Sequence, residues 1–166
     1  MFGSGITYVP YMHHMDPTNT IASIRIPEET RLLKIMLSKM EEGLKLLEEI
    51  NDPTSKTEEL LNLGRFITNT VKSGIHSKEW YIIKTKLFAE SDREKLTEIL
   101  NKMENLLEEE RKVVLDTIPL VKQDSRLGWE PSMLYMADER HLEWKLLQLD
   151  YTIKEEIGMY KKCVWN

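Results

Sequence analysis

Residues 91–121 read SDREKLTEILNKMENLLEEERKVVLDTIPLV. Apolar side chains recur along this stretch at steps of three, four or seven residues: Leu96, Leu100, Met103, Leu107, Val114 and Val121. This spacing places them on one face and therefore predicts a long amphipathic helix. Glu110 and Thr117 interrupt the stripe, which favours packing inside a bundle over an extended coiled coil. Pro119 is expected to kink or end the helix.

Steps of three and four residues also predict a first helix upstream. Pro27 and the two glutamates after it suit a first helical turn, because proline needs no hydrogen-bond acceptor there and acids favour the positive end of the helix dipole. The predicted apolar face of this helix contains Leu32, Leu33, Met36, Met40, Leu44, Leu47 and Ile50. Pro53 is expected to end it.

Two further helices are predicted between the first helix and residues 91–121. A Ser55-x-x-Glu58 capping box marks the start of the second helix, and Gly74 marks its end. Ser77 is then expected to cap a third, shorter helix. A second capping box, Ser91 with the acid three residues later, is expected to open the longest helix.

The last helix is predicted from about Asp138 to about Lys162. Its apolar face is predicted to contain Leu142, Leu146, Leu149, Ile153, Ile157 and Tyr160, widened by Trp144, Leu147 and Tyr151. The sequence therefore predicts an all-α fold, an up-and-down bundle of four to five helices. Residues 1–27 are expected to form an irregular N-terminal arm, residues 28–166 the helical bundle domain, and one long ordered loop precedes the last helix.

Composition excludes several classes of protein. The chain has 166 residues, enough to bury a core, and its single cysteine excludes a disulfide scaffold. A net charge of −5 makes nucleic acid and anionic membranes poor partners, so we expect neither. No stretch approaches the roughly 20 apolar residues that span a bilayer, and the N-terminus lacks the features of a secretory signal. We therefore predict a cytoplasmic protein.

The loop between residues 123 and 132 is the first candidate site, because long ordered loops often carry function. One interpretation is structural: Asp124 and Arg126 pair, Gly128 takes a positive φ, and Trp129 is held against the bundle. The other is a ligand-facing loop. In that interpretation Trp129 stacks on the apolar face of a sugar while Arg126 and Glu130 hydrogen-bond its hydroxyl groups.

The N-terminal arm holds the second candidate, His14 and Asp16. Both are metal-ligand types and can lie on one side of an extended segment, but two ligands do not make a zinc site. The alternative is a proline-bounded turn with local hydrogen bonds. The arm is aromatic and contains three prolines, which is typical of a chain entering from a preceding domain, so we expect a piece of a longer protein.

Helix termini supply further candidate ligands. Asp138-x-x-His141 and His76-x-x-Glu79 each place a carboxylate and an imidazole one turn apart, as di-iron bundles do with Glu-x-x-His pairs. Asp138 more simply caps the last helix. The run Glu108–Glu110 is interpreted as a solvated helix face. No cofactor, metal site or catalytic residue is therefore predicted.

Two phrases, DSRLGWEPSM at residues 124–133 and HLEWK at residues 141–145, resemble the helical C-terminal region of large bacterial glycoside-hydrolase-like proteins. In those proteins a (β/α)₈ barrel carries the chemistry, and the arm around residues 8–19 resembles the chain leaving the barrel. The resemblance implies a non-catalytic domain that packs beside a barrel. Its loop at residues 126–132 would then reach the rim of the sugar site.

We therefore expect a non-catalytic helical domain of a carbohydrate-active protein. Its expected partners are an upstream barrel domain or partner chain, and a carbohydrate. Two alternatives stay open: a stand-alone protein–protein interaction module that docks through its aromatic arm, and a metal-binding helical bundle.

Overall fold

The computed structural model describes residues 22–50, 55–130 and 135–165, and it is an all-α bundle as predicted. In chain order its elements are α1 (Ala22–Glu48), α2 (Ser55–Ala89), α3 (Arg93–Gln123), β1 (Trp129–Glu130), β2 (Tyr135–Met136), α4 (Glu139–Tyr151), a π-helical segment (Thr152–Ile157) and α5 (Gly158–Trp165). Helix α1 packs on α2, α2 packs on α3, and α3 packs on α4 and α5. The candidate residues of the arm, His14 and Asp16, lie outside the described residues.

Helix α1 begins at Ala22, five residues before the proline that was expected to open it. Pro27 therefore lies inside the helix. The residue before it, Ile26, is buried, and Thr30 donates a side-chain hydrogen bond of 2.7 Å to the Ile26 carbonyl. Burial of this first turn against the neighbouring helix offsets the hydrogen bond that proline cannot make.

One row of α1 faces α2, and its positions alternate by four and three residues: Ile26, Thr30, Leu33, Leu37, Met40, Leu44 and Leu47. This alternation is the heptad pattern of a two-helix coiled coil. Of the predicted face, Leu32, Met36 and Ile50 are exposed instead. A helix with one packed neighbour buries one narrow row, so the second apolar row of α1 points away from α2.

Four ion pairs connect α1 and α2 in the described residues: Glu29–Lys78, at 2.5 Å, and a series of three that follows the contact row. The nitrogen–oxygen distances are 2.5 Å for Lys34–Glu79, 2.8 Å for Glu41–Lys72 and 2.8 Å for Glu48–Arg65. Successive pairs in this series are seven residues apart on both helices, in opposite directions, so the helices are antiparallel. Exposed pairs of this kind add little stability, but their spacing is consistent with a single register.

Helix α2 is one continuous helix of 35 residues, so the predicted break after Gly74 is wrong. Val71 and Ile75 are both buried beside that glycine, and their packing outweighs the roughly 1 kcal/mol that a glycine costs inside a helix. Ser77 does not cap a helix. Its hydroxyl donates instead to the Ser73 carbonyl at 2.9 Å within the same helix.

Helix α3 begins after Asp92, whose side chain accepts a hydrogen bond of 3.0 Å from the Lys95 amide. The N-cap is therefore one residue later than predicted. The helix continues through Pro119 to Gln123, because the next residue, Leu120, is buried against the bundle.

The centre of the bundle is formed by α3, α4 and the π-helical segment. The largest fully buried side chains are Leu100, Leu107, Val114 and Leu149. Along the last helical stretch the buried residues Leu142, Leu149 and Ile157 are separated by seven and then eight residues. A π-helical turn holds more residues than an α-helical turn, and here it lies within the longer interval.

The loop before α4 is ordered where the structure describes it, and it contains a two-stranded antiparallel ladder that the sequence did not predict. Next to this ladder the Ala137 amide donates to the Gly128 carbonyl at 2.6 Å. Gly128 does not adopt the expected positive φ. A Cβ added there would lie 2.5 Å from the Ala137 carbonyl oxygen, so the glycine allows two backbone segments to approach closely.

We expect Gly128→Ala to lower the free energy of unfolding by about 1–3 kcal/mol, because a methyl group cannot fit against a fixed backbone carbonyl. The control is Gly158→Ala in α5, where an added Cβ meets no atom within 4 Å. That change should leave stability equal or slightly higher, since alanine favours helices. Urea denaturation followed by circular dichroism measures both. Equal effects of the two changes would contradict the close approach.

Candidate functional site

A buried carboxylate joins three helices. Glu110 of α3 is only 3% exposed, and both of its oxygens accept hydrogen bonds. Oε1 accepts from the Ser73 hydroxyl of α2 and from the Lys145 ammonium of α4. Oε2 lies 2.6 Å from Nδ1 of His76, also on α2. We call Glu110, Ser73, His76 and Lys145 the buried polar cluster.

The position of Glu110 follows from the stripe of α3. Buried residues of this helix continue in steps of three and four through both positions that seemed to interrupt it: Leu100, Met103, Leu107, Glu110, Val114, Thr117 and Val121. The interpretation of Glu108–Glu110 as a solvated face is therefore wrong for its last residue. The site could have been predicted from the sequence if the period of three and four residues had been continued through the charged residue.

Hydrogen bonding keeps the buried carboxylate ionised. Burial acts to raise the pKa of Glu110, but the hydrogen bond from His76 and the charge of Lys145 outweigh it and hold that pKa below its ordinary value of 4.5. A carboxylate can only accept hydrogen bonds, so the proton between it and the imidazole belongs to His76 Nδ1. Within the cluster the buried Glu110 anion is thus paired with the partly exposed ammonium of Lys145.

Ser73 and Lys145 lie at the separation of a nucleophile and its base, with 3.0 Å between Oγ and Nζ. A lysine that acts as a base needs a lone pair on Nζ. Here Nζ donates hydrogen bonds both to Ser73 and to Glu110, while the serine hydroxyl itself donates to Glu110. The groups satisfy one another, which is the behaviour of a structural contact between helices.

A groove of about 350 Å³ lies beside the cluster. Both apolar and polar side chains of α2, α3 and α4 line it, and Ser73 and Lys145 reach it from the cluster. The loop contributes Leu127 and Gly128 to its wall. The predicted loop therefore does border a concave surface, through two residues that were not among its candidate ligand residues.

The predicted pair in the loop is confirmed. Arg126 Nε and Nη2 lie 2.8 and 2.7 Å from the two carboxylate oxygens of Asp124. These hydrogen bonds hold the pKa of Asp124 below its ordinary value. Both residues line a second groove, of about 260 Å³, together with Asn62, Gln123 and Glu58. A two-pronged pair of this kind fixes the loop where it leaves α3.

The other candidates of the loop are placed only in part. Trp129 and Glu130 form β1, where they pair with Met136 and Tyr135 of β2. Their side chains lie outside what the structure describes, so the stacking of Trp129 on a sugar stays a prediction. The groove beside Asp124 is polar and contains the amide and carboxylate groups that hydrogen-bond hydroxyl groups.

The candidate metal ligands at the helix termini make other contacts. Asp138 caps α4 as predicted, accepting from the His141 amide at 2.9 Å and lying 2.7 Å from its ring Nδ1. Glu79 pairs with Lys34 of α1, whereas His76 belongs to the buried polar cluster. Within residues 22–50, 55–130 and 135–165, no three His, Cys, Asp or Glu side chains are grouped so that they could hold a metal ion.

The outer face of α4 carries a row of large apolar side chains. Trp144, Leu147 and Tyr151 are 60%, 68% and 59% exposed. They follow one another by three and four residues, and we call them the α4 stripe. The prediction that they widen the buried face is wrong, because α4 packs on α3 through Leu142 and Leu149 and nothing described covers its other side.

Comparison with protein-family models, with curated proteins and with solved structures found no match to this chain. In the part of the chain that the structure describes, no helix combines the length and the apolar character that crossing a membrane requires. The predicted cytoplasmic location stays a prediction.

We expect Lys145→Met to lower the free energy of unfolding by about 2–3 kcal/mol, because it leaves the Glu110 carboxylate buried without its cation. Adding Glu110→Gln to this variant should recover part of the loss. The control is Lys122→Met, whose partner Glu139 is exposed, and it should cost less than about 1 kcal/mol. Urea denaturation measures all three. A loss no larger than that of the control would contradict the role of the cluster.

The lowered pKa of Glu110 predicts a pH dependence. Its ionised form stabilises the fold above pH 4.5, the ordinary value, and this contribution is lost as the pH falls below 4.5 through the lower pKa of the folded state. The difference in unfolding free energy between the native chain and Glu110→Gln should therefore shrink below that pH. A difference that stays constant between about pH 7 and about pH 3 would show that the carboxylate charge contributes nothing to the free energy of unfolding.

Proposed function

We propose that this chain is a non-catalytic helical domain that packs against a larger protein partner through the α4 stripe. The observation that carries the proposal is the exposure of Trp144, Leu147 and Tyr151 on one face of one helix. Contiguous exposed apolar side chains mark protein interaction sites more often than chance, and tryptophan and tyrosine are the residues enriched among those that dominate binding energy.

The internal contacts of the bundle support a structural role. The charged groups of the buried polar cluster are paired with one another, and Asp124 and Asp138 bond to neighbouring residues of their own turns. Lys145 of α4 pairs with Glu110 of α3, and the α4 stripe lies on the opposite face of α4. This ion pair therefore fixes the orientation of the stripe. A rigid helix that presents a row of large side chains is well suited to fill a complementary groove.

The resemblance described above suggests what the partner is. It implies that a barrel domain of a carbohydrate-active protein supplies the chemistry, on the same chain or on another. The polar groove beside Asp124 and Arg126 lies at the start of the loop that the resemblance directs toward a sugar. In this proposal the bundle covers apolar surface of the barrel and the loop borders its ligand.

The purified chain should show a helical circular dichroism spectrum and should not hydrolyse aryl glycosides, because the proposal assigns the chemistry to the partner. Turnover of nitrophenyl glycosides is measured by absorbance, with Glu110→Gln and Asp124→Asn prepared alongside. Hydrolysis that disappears in a variant of one of these acids would overturn the non-catalytic proposal.

A photo-activated crosslinker at the α4 stripe tests the partner directly. Benzoylphenylalanine replaces Leu147 in one variant and the exposed Lys102 of α3 in the control, both expressed in cells of the source organism. We expect irradiation to link position 147, but not position 102, to a carbohydrate-active barrel protein identified by mass spectrometry. Equal labelling at both positions, or crosslinks from position 147 only to unrelated proteins, would contradict the proposal.

A further inference from the structure

The pair of helices α1 and α2 has an apolar face that nothing described covers. It contains eight aliphatic or methionine side chains, each between 39% and 65% exposed: Leu32, Ile35, Met36, Leu46, Ile50, Leu60, Leu63 and Ile67. We call these residues the hairpin face. It is separate from the α4 stripe, which lies on another helix of the bundle.

Helical periodicity puts the two halves of this face on the same side. The ion pairs Lys34–Glu79, Glu41–Lys72 and Glu48–Arg65 lie beside the contact row on the flank nearest α3, and Glu29–Lys78 lies on the other flank. The exposed rows lie on that other side too, on average roughly 120° from the contact row on α1 and roughly 80° on α2. Because the antiparallel register pairs Glu48 with Arg65, Leu46 and Ile67 lie at the same level along the helix pair.

Two glycines in the middle of this face have no packing role among the residues that the structure describes. A Cβ added to Gly43 or to Gly74 would meet no atom within 4 Å. Alanine is more favourable than glycine inside a helix, and no contact among the described residues requires a glycine at either position. Both lie between the two apolar ends of the hairpin face, where a glycine lets a backbone from outside come near.

The charges that border α1 do not oppose association. Arg31 pairs with Glu28 at 2.6 Å, and Lys39 pairs with Glu42 at 2.8 Å. Within each of these two pairs the charges cancel, although the whole chain carries a net charge of −5. A second copy that approaches along this face therefore meets no excess of like charge from these four residues.

The size of the face fits a pair of identical chains. Its eight residues are each 39–65% exposed, which amounts to an area on the order of 700 Å², comparable with the roughly 800 Å² per partner of a standard stable interface. Two such hairpins, stacked face to face about a two-fold axis, make a four-helix bundle, and two-fold dimers are the commonest oligomers. We propose that the hairpin face is the interface of a symmetric dimer of this chain.

The mass of the purified full chain in solution tests the dimer. Sedimentation equilibrium should give twice the chain mass of 19.6 kDa for the native protein. Leu46→Glu, at the most exposed residue of the face, should raise the dissociation constant at least tenfold, which is about 1.4 kcal/mol. Leu147→Glu on the α4 stripe is the matched control and should leave the dimer intact. Circular dichroism confirms that both variants fold.

Gly43→Leu is a second probe, because the added side chain meets open space within one chain and should block a close approach between two. It should also yield a monomer of unchanged helicity. A native chain that is monomeric at high concentration overturns the proposal, as does a dimer that Leu147→Glu dissociates and Leu46→Glu does not. A monomer whose hairpin face binds a hydrophobic dye only after residues 1–21 are deleted would assign the face to that segment and also overturn it.

Discussion

The carboxylate of Glu110 is the constraint on which the arrangement of the helices depends. A charge removed from water must be matched by partners in fixed positions, and here they come from α2 and α4. Apolar side chains attract one another without direction, so apolar contacts specify the position of one helix along another less strictly than hydrogen bonds do. The hydrogen bonds to Glu110 would be lost if either neighbour shifted by one turn, and Lys145 and His76 therefore help to set where both neighbours stand along α3.

The order of the helices explains where apolar surface stays exposed. Each of the two outer helices, α1 and α4, packs on one side, and the sequence supplies both with more apolar residues than one side can bury. On α1 the surplus lies in a second row, on the same side of the helix pair as the exposed row of α2. On α4 the surplus forms a separate stripe that contains a tryptophan and a tyrosine. The two surfaces differ in chemistry, which is why we assign them to different partners.

Periodicity predicted the all-α class and a bundle of four to five helices, because steps of three and four residues report directly on helical faces. The cap at Asp138 and the pair of Asp124 with Arg126 could also be predicted, since each depends on residues within one turn. Errors arose where distant packing overrides local preference. Gly74 and Pro119 are usual helix breakers, yet buried neighbours carry the helix through both. The buried polar cluster was not predicted because Glu110 lies 34 to 37 residues along the chain from each of its partners.

Helix α1 contributes no side chain to the central cluster of buried apolar residues, which belongs to α3, α4 and the π-helical segment. It can separate from α2 by breaking one row of apolar contacts and the ion pairs beside it, while Leu107 and Leu149 remain shielded. Opening of this kind costs less free energy than unfolding of the whole chain. The bundle is therefore a two-tier structure, in which amide protons of α1 exchange with solvent through a partial opening and those of α3 exchange only when the entire domain melts.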